Sequence, residues 1–391
     1  MRTLRAGYLV VMAGLMPLIA PQLPAQTTLF DWFNLAAIPV ILAVLFYTSR
    51  VSFPLAAPAM VILMGSLVSM LNGRAIPVNM LTLAQEIYLY LLMVALCNVM
   101  RDPADMTILV VAWMTTAVAQ SLLVFWNLSG DIAARATGTF LNPNMTSSYL
   151  GISALLCFHP VLKGRPLIRS AVFVVVTIAM LGTKSMSAIL SLVTAVLFMI
   201  GAHTFYGGHR QRVRVAVAAL VLFAVAVAVL PQALNMENFL DRLPRSSSGR
   251  LATWKVGIGT FLDNPFGLGV GPGGFVEVGI VTGGQWGVGK RMSLHSDYLA
   301  YLVERGIVGF LGLMALIGAL AMLLLRGIRT SAGPEQRLWM FALSAMLLFT
   351  LVDSLSHEMM HYRHVWSALG LMTAQAGLAA PREPGKRPTA R

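Results

Sequence analysis

The stretch from His295 to Leu325, HSDYLAYLVERGIVGFLGLMALIGALAMLLL, determines the fold class. From Tyr298 onward it is a nearly continuous apolar run that is long enough to cross a lipid bilayer, since about 20 apolar residues suffice. The whole chain has the same character, because 57% of its 391 residues are hydrophobic and only 11% are charged. Soluble domains average about 25% charged residues. We therefore predict an all-α, polytopic membrane protein.

Similar apolar runs along the chain predict twelve membrane-spanning helices. Prolines such as Pro54, Pro143 and Pro231 lie near the predicted ends, where a helix can stop without losing interior hydrogen bonds. The predicted spans are 7–22, 33–49, 54–72, 80–100, 106–127, 145–162, 168–182, 185–203, 213–231, 298–325, 336–355 and 362–380.

Lysine and arginine predict the orientation, because the cytoplasmic loops of membrane proteins are enriched in both. With the N-terminus in the cytoplasm, most basic clusters lie inside and one large loop lies outside. The net charge of +13 then reflects sidedness and attraction to anionic membrane lipids, and no nucleic-acid partner is predicted. The predicted parts are nine helices in 1–231, the outer loop in 232–297, three helices in 298–380 and a basic cytoplasmic tail in 381–391.

The first predicted element of the outer loop is a helix from Arg250 to Leu262, in which Trp254 lies one turn after Arg250. Asn264-Pro265 ends this helix. The glycines between Gly267 and Gly274 then form a turn whose backbone N–H groups could approach a ligand. The loop is thus predicted to contain short helices and a glycine-rich turn.

His295 lies at the entrance to the tenth predicted span. Its imidazole can accept a proton near neutral pH, which suits a general base. Asp297, two residues later, could orient it. The alternative is a histidine that only begins a helix at the membrane interface.

Few cations lie in the short outer loops, so each of them is a candidate for binding an anion. Arg135 lies in RATGTFLNPN, Lys184 in GTKS and Arg363 in HYRH. Together with Arg250 they predict a cationic pocket at the outer face, in which the planar forks of arginine would bind phosphate oxygens in a bidentate manner.

Two blocks of the sequence resemble the O-antigen ligase and O-antigen polymerase superfamily of bacterial envelopes. The first is R-x-x-G-x-F-x-NPN, here Arg135 to Asn144. The second is an arginine and a tryptophan, then NPFGLGVGPGGF from Asn264 to Phe275, then H-x-x-YL-x-x-L-x-E-x-G-x-x-G, here Arg250 to Gly309. The number of predicted spans and the long outer loop extend the likeness to most of the chain.

The resemblance implies a membrane glycosyltransferase with a GT-C-like fold, in the bacterial inner membrane, with its active site facing the periplasm and with no metal or other cofactor. Such an enzyme takes a glycan from undecaprenyl diphosphate. A ligase transfers it to a lipid A-core acceptor, and an O-antigen or exopolysaccharide polymerase transfers it to another lipid-linked glycan. Both remain open at this point.

By position in the motifs, Arg250 and Arg135 would hold the diphosphate, and His295 would activate the acceptor hydroxyl or stabilise the leaving group. The other predicted substrate-binding residues are Asn144, Lys184, Trp254, Asp297 and Arg363. One position departs from the family pattern, in which an S-R pair commonly precedes the eighth span. Met186 occupies the arginine position here, and Lys184 could supply its charge as a point charge.

Two other function classes fit parts of the sequence. The string from His357 to His361 matches HExxH, which on a helix places two imidazoles on one face as zinc ligands with the glutamate as base. An intramembrane metalloprotease is therefore the main rival hypothesis. A lipid or solute transporter is the third, because proline-broken helices and outer cations can line a transport path.

Overall fold

The computed structural model describes residues 2–19, 27–48, 51–73, 76–130, 135–206, 242–271, 276–278, 281–282, 285–286 and 290–379. Within these ranges the chain forms a bundle of α-helices. In chain order they are α1 Arg2–Leu15, α2 Leu29–Thr48, α3 Ala56–Met70, α4 Ile76–Val99, α5 Pro103–Gly130, α6 Pro143–Leu156, α7 Pro166–Gly182, α8 Met186–Tyr206, α9 Arg242–Asp263, α10 Asp297–Thr330, α11 Pro334–Asp353 and α12 Arg363–Ala379.

The helical membrane class is confirmed, because every helix except α9 overlaps a predicted span. Among the described residues, six helices are long and apolar enough to cross a membrane, namely α2, α4, α5, α8, α10 and α11. The shorter helices α3 and α7 are also apolar. The predicted ninth span, 213–231, and the basic tail, 381–391, lie outside the described residues, so the number of twelve spans stays a prediction.

The described residues of the outer loop contain one long helix, α9, where short helices were expected. It begins at Arg242, well before the predicted start at Arg250. Four short strands follow it, and these were not predicted. The strands are β1 Val276–Val278, β2 Val281–Thr282, β3 Gln285–Trp286 and β4 Lys290–Met292, and the antiparallel pairs are β1 with β4 and β2 with β3.

Helices α3 and α10 pack closely because glycines lie where they cross. A Cβ on Gly65 would lie 2.4 Å from the backbone nitrogen of Gly309, and a Cβ on Gly312 would lie 2.6 Å from the nitrogen of Ile62. Both distances are too short for any side chain. Small residues of this kind let two membrane helices bring their backbones together.

Helix α10 is kinked at Gly306, whose φ of 64° is readily adopted only by glycine. The glycine-rich turn after α9 docks at this kink. The amides of Leu268 and Gly269 donate hydrogen bonds to the carbonyls of Val303 and Glu304, at 3.0 and 3.2 Å. These N–H groups, which were expected to face a ligand, therefore satisfy the carbonyls that the kink frees.

A buried ion cluster lies beside the kink and links α4 to α10. Arg305 donates to the carboxylate of Glu86 at 2.6 Å and to that of Glu304 at 2.7 Å. Its guanidinium also lies 4.2 Å from the ring centroid of Tyr301, and Ser66 donates to Glu86 at 2.7 Å. Charged groups inside a membrane protein are expensive unless they are paired, and here each charge has a partner.

Candidate active site

Most of the predicted site residues lie at one end of the helix bundle. The chain reaches this end at the start of α6, α8, α10 and α12 and at the end of α7 and α11. Helix α9 packs against the beginning of α10 there, through a small apolar cluster. The members of this cluster are Leu294, Ala300 and Val303, with Val256, Phe261, Leu268 and Leu299 packed against them.

His295 is exposed at this end, and the backbone around it is held from two sides. Its N–H donates to the carboxylate of Glu358 at 3.0 Å, and the Ser293 hydroxyl donates to the same oxygen. The indole N–H of Trp254 donates to the carbonyl of Leu294 at 3.0 Å. His295 has a φ of 49°, which is uncommon for a residue with a side chain. Such strain persists only where the surroundings enforce it, often at functional sites.

These contacts give Trp254 and Glu358 clear positions in the site. Trp254 was predicted to bind substrate, but its N–H is used to hold the segment that precedes His295. Glu358 was noticed only as part of HExxH, and no spacing in the sequence connects it with His295. In the structure both are positioning residues for the candidate base.

Asp297 was expected to orient His295, and its contacts correct that expectation. Its buried carboxylate accepts hydrogen bonds from the hydroxyl of Ser354 at 2.7 Å and from the amides of Met359 at 2.8 Å and Met360 at 3.1 Å. Its own N–H donates to the carbonyl of Ser354 at 3.0 Å. Asp297 therefore fastens the connection between α11 and α12 to the start of α10, and through it holds Glu358 beside His295.

The charges around His295 favour a neutral imidazole. Partial burial lowers its pKa from the ordinary value, the negative charge of Glu358 opposes this, and the positive charge of Arg250 lowers the pKa further. Arg250 is half-buried on α9. Its own pKa is lowered by burial and raised by Asp353. A histidine that is mostly unprotonated at neutral pH can accept a proton from a hydroxyl group.

His357 connects this site to the start of α8. Its Nδ1 lies 2.9 Å from the hydroxyl oxygen of Ser187 and 2.9 Å from a carboxylate oxygen of Asp353. His357 is itself buried. No sequence pattern connects Ser187 with this site, because it lies on α8, 170 residues before His357.

The HExxH string lacks the geometry that the metalloprotease hypothesis needs. It lies in the non-helical connection between α11 and α12, because α11 ends at Asp353. Glu358 points to His295, and His361 lines a small cavity with Arg305. In the described part of the chain, no three His, Cys, Asp or Glu side chains come together in a metal-binding group. The prediction of two imidazoles on one helix face is wrong.

Arg135 lies between Asn144 and the turn that contains Lys184. The guanidinium of Arg135 donates to the side-chain oxygen of Asn144 at 2.6 Å and to the carbonyl of Thr183 at 3.0 Å. Asn142 caps α6 by accepting from the amide of Asn144 at 2.9 Å. Lys184 is adjacent, in the turn between α7 and α8, with a φ of 55°.

Arg363 is engaged differently from the prediction. Its Nε and Nη2 atoms each donate to one carboxylate oxygen of Asp31, both at 2.5 Å. This is a two-bond pair of the kind that a phosphate group would otherwise make. Arg363 therefore ties the start of α12 to α2, and we remove it from the proposed phosphate-binding set.

Residues 171–314 match the family model described as O-Antigen ligase. This match includes Arg250, Trp254 and His295, and it confirms the resemblance to the O-antigen ligase and polymerase superfamily. No curated protein matches the chain. The match and the six apolar helices together point to a multi-pass bacterial membrane protein with a glycosyltransferase-like activity.

Proposed function

We propose that the protein transfers a glycan from undecaprenyl diphosphate to a hydroxyl group of a lipid A-core or glycan acceptor. The former would make it an O-antigen ligase, and the latter an O-antigen or exopolysaccharide polymerase. The observation that supports this most directly is the exposed His295, which is held in a strained conformation beside the positive charge of Arg250.

The arrangement allows a direct displacement. The acceptor oxygen would attack the anomeric carbon while its proton passes to the imidazole of His295. The bond from that carbon to the diphosphate oxygen would break, and the diphosphate would leave with the electron pair. Guanidinium groups stabilise such a developing charge strongly when they are fixed in advance.

Two arginines are the proposed diphosphate-binding groups. Arg250 lies close enough to His295 for its positive charge to lower the pKa of the imidazole. Arg135 is connected to the same end of the bundle through Thr183, at the turn just before α8, and Ser187 of α8 contacts His357. Lys184 in that turn would add a further positive charge. In this proposal Met186, at the first position of α8, needs no replacement by arginine for activity.

The proposed location is the periplasmic face of the inner membrane. The residues of the candidate site lie at the start of α10, and Arg326 lies near its end. From the kink at Gly306 to Arg326 the helix rises about 30 Å at 1.5 Å per residue, which is close to the thickness of the hydrocarbon core of a bilayer. This length supports a position of Arg326 on the cytoplasmic side, opposite His295.

The decisive test is glycan transfer by purified protein in proteoliposomes, with lipid-linked donor and acceptor supplied. We expect His295→Ala to lower the transfer rate by about 10²–10⁴-fold, because general-base help contributes that much. His203→Ala is the matched control, since His203 lies in the last turn of α8 and away from the site, and it should retain activity.

The same assay separates the rival classes. A chelator should leave transfer unchanged if no metal takes part. Full activity of His295→Ala at equal expression, or loss of activity in the chelator, would overturn the proposal. A protein that moves the intact lipid-linked donor across the membrane without consuming it would instead be a transporter.

A further inference from the structure

A cavity of about 720 Å³ lies at the end of the bundle opposite the candidate active site. It is lined by the segment just before α3, the end of α4 and the second halves of α10 and α12. The lining residues are Ser52, Pro54, Leu55, Cys97, Asn98, Met100, Arg101, Ala319, Met322, Leu323, Arg326, Thr373, Ala374, Gly377 and Leu378.

We propose that this cavity binds an anionic phospholipid of the cytoplasmic leaflet, with the headgroup phosphate between Arg101 and Arg326 and an acyl chain along α10 and α12. This site is separate from the proposed glycan-transfer reaction. Its recognition rests on two features, an apolar wall formed by helix faces and a pair of arginines at one edge.

One face of α10 forms the first side of the wall. Ala319, Met322, Leu323 and Arg326 follow one another at the helical spacing of three and four residues, so they lie in a single stripe that ends in a positive charge. Met322 is 57% exposed. A long apolar side chain that is open at the edge of a cavity in a membrane protein suits contact with a hydrocarbon chain.

Helix α12 forms the second side with small residues. Ala374 and Gly377 line the cavity one turn apart. A Cβ added to Gly377 would meet no other atom within 4 Å. The space beside Gly377 is therefore open, and a larger side chain there would project into it without displacing the helices.

Hydrogen bonds within the protein fix the orientation of Arg101 at the polar edge of the cavity. Arg101 donates from Nε to the carbonyl of Asn98 at 2.8 Å and from Nη2 to its side-chain oxygen at 3.2 Å. Asn98 is fixed in turn, because its amide group exchanges hydrogen bonds with the backbone of Ser52 at 2.7 and 2.9 Å. The hydrogen bonds to Asn98 orient the guanidinium of Arg101 at the edge of the cavity.

The charge at this edge favours an anion. Partial burial lowers the pKa of Arg101, and the nearby positive charge of Arg5 lowers it further. Arg5 is paired with Asp105 at 2.9 Å and with Asp102 at 3.4 Å. Arg101 and Arg326 both line this edge, so a phosphate group there would be attracted to two guanidinium groups, and arginine binds phosphate oxygens well.

The apolar wall identifies the source of that phosphate as a lipid. A free phosphate ion would use only the arginine edge and would leave the sides along α10 and α12 uncovered. A phospholipid would fill both parts, since its headgroup is charged and its chains are apolar. Anionic lipids also concentrate at the cytoplasmic surface, where basic side chains attract them.

Native mass spectrometry of the full protein, released from nanodiscs, tests the proposal. The lipids are phosphatidylglycerol and phosphatidylcholine in equal amounts. We expect the wild-type protein to retain phosphatidylglycerol preferentially. Arg101→Gln and Arg326→Gln should each reduce the retained amount about fivefold, as expected for one basic side chain near an anionic lipid.

A variant that fills the cavity provides the second arm. Gly377→Leu should abolish retention while it keeps both arginines. Gly201→Leu on α8 is the matched control, because a Cβ on Gly201 also meets no atom within 4 Å and α8 does not line the cavity. The control should retain the lipid as the wild type does.

Three outcomes would overturn the proposal. Equal retention of the neutral and anionic lipids would remove the role of the arginines. Retention that survives Gly377→Leu would place the lipid elsewhere on the protein. Displacement of the lipid by inorganic phosphate at millimolar concentration would show that the site binds the anion alone and that the apolar wall does not contribute to binding.

Discussion

Glu358 offers the sharpest test of how the site is held together. Its carboxylate accepts from the backbone N–H of His295 at 3.0 Å and from the hydroxyl of Ser293. His295 has a left-handed backbone with a φ of 49°, and such a conformation costs about 1–3 kcal/mol. The hydrogen bonds to Glu358 offset this cost, so Glu358→Ala should let the segment relax away from the position that His295 needs.

The expected size follows from the hydrogen bonds that are lost. A hydrogen bond to a charged group contributes about 1.5–3 kcal/mol. Because His295 is exposed, water can replace part of the interaction, and we take the lower end of that range. A loss of about 1.4 kcal/mol in transition-state stabilisation lowers the rate about tenfold. We therefore expect Glu358→Ala to reduce kcat about tenfold. Glu358→Gln keeps an acceptor oxygen and should reduce it less.

The pH dependence of kcat separates positioning of the base from general damage. His295 acts as a base only when it is unprotonated, so activity should fall as the pH falls through its pKa. Burial and the charge of Arg250 place that pKa below the ordinary value, while Glu358 raises it. Removing the negative charge in Glu358→Gln should therefore move the acidic limb of the profile to still lower pH.

Glycan transfer is measured in proteoliposomes from pH 5 to pH 8, with thermal unfolding of each variant as the control. A variant that unfolds at a lower temperature but keeps the wild-type pH profile would assign Glu358 a structural role only. Unchanged kcat and an unchanged profile in both variants would refute the reasoning, because the strained backbone of His295 would then need no support from Glu358.

The remaining predictions concern the cations and the topology. Arg135→Lys and Arg250→Lys should each lose most of the activity although the charge is kept, since bidentate diphosphate contacts need the guanidinium fork. Lys184→Ala should have a milder effect, and Met186→Arg should be tolerated. Glycan transfer at the wild-type level by either arginine variant would contradict this prediction. A cysteine at Gln285, in the outer loop, should react with an impermeant thiol reagent in intact spheroplasts, and reaction only after lysis would reverse the predicted orientation.

The sequence could predict the helices because the signal is local. Apolar runs of membrane length mark α4, α5 and α10 directly, and the predicted span of 298–325 lies within Asp297–Thr330. Helix α9 was predicted only from Arg250 to Leu262, where Trp254 lies one turn after Arg250. Its earlier start at Arg242 was missed because the residues from Arg242 to Gly249 have no apolar periodicity.

The contacts that assemble the site could not be predicted in the same way. Asp31 and Arg363 are separated by most of the chain, and only the folded arrangement of the helices brings their charges together. A sequence pattern shows that Arg363 is a lone cation near an outer boundary. It cannot show that a carboxylate already occupies both arms of the guanidinium, and this is why the residue was assigned to phosphate binding.

The HExxH string is a second case in which a contact between distant residues could not be predicted from the sequence. The motif has a chemical meaning only where the backbone is helical, because the helix brings its two histidines to one face. Here α11 stops at Asp353, and the carboxylate of Asp297 caps the amides of Met359 and Met360 from another helix. A long-range contact therefore decides the local conformation, and Glu358 turns to His295 as a result.

The order of the motifs has a physical explanation in the kink of α10. The segment that begins with Arg250 ends in the glycine-rich turn, and the amides of that turn bind the carbonyls freed at Gly306. His295 precedes the same helix, and Leu294 packs against α9. The kink is thus the point where the elements that contain Arg250 and His295 are joined. A change at Gly306 would alter the distance between the proposed diphosphate-binding group and the proposed base without touching either side chain. Residues of the motif that never contact substrate can therefore matter as much for transfer as those that do.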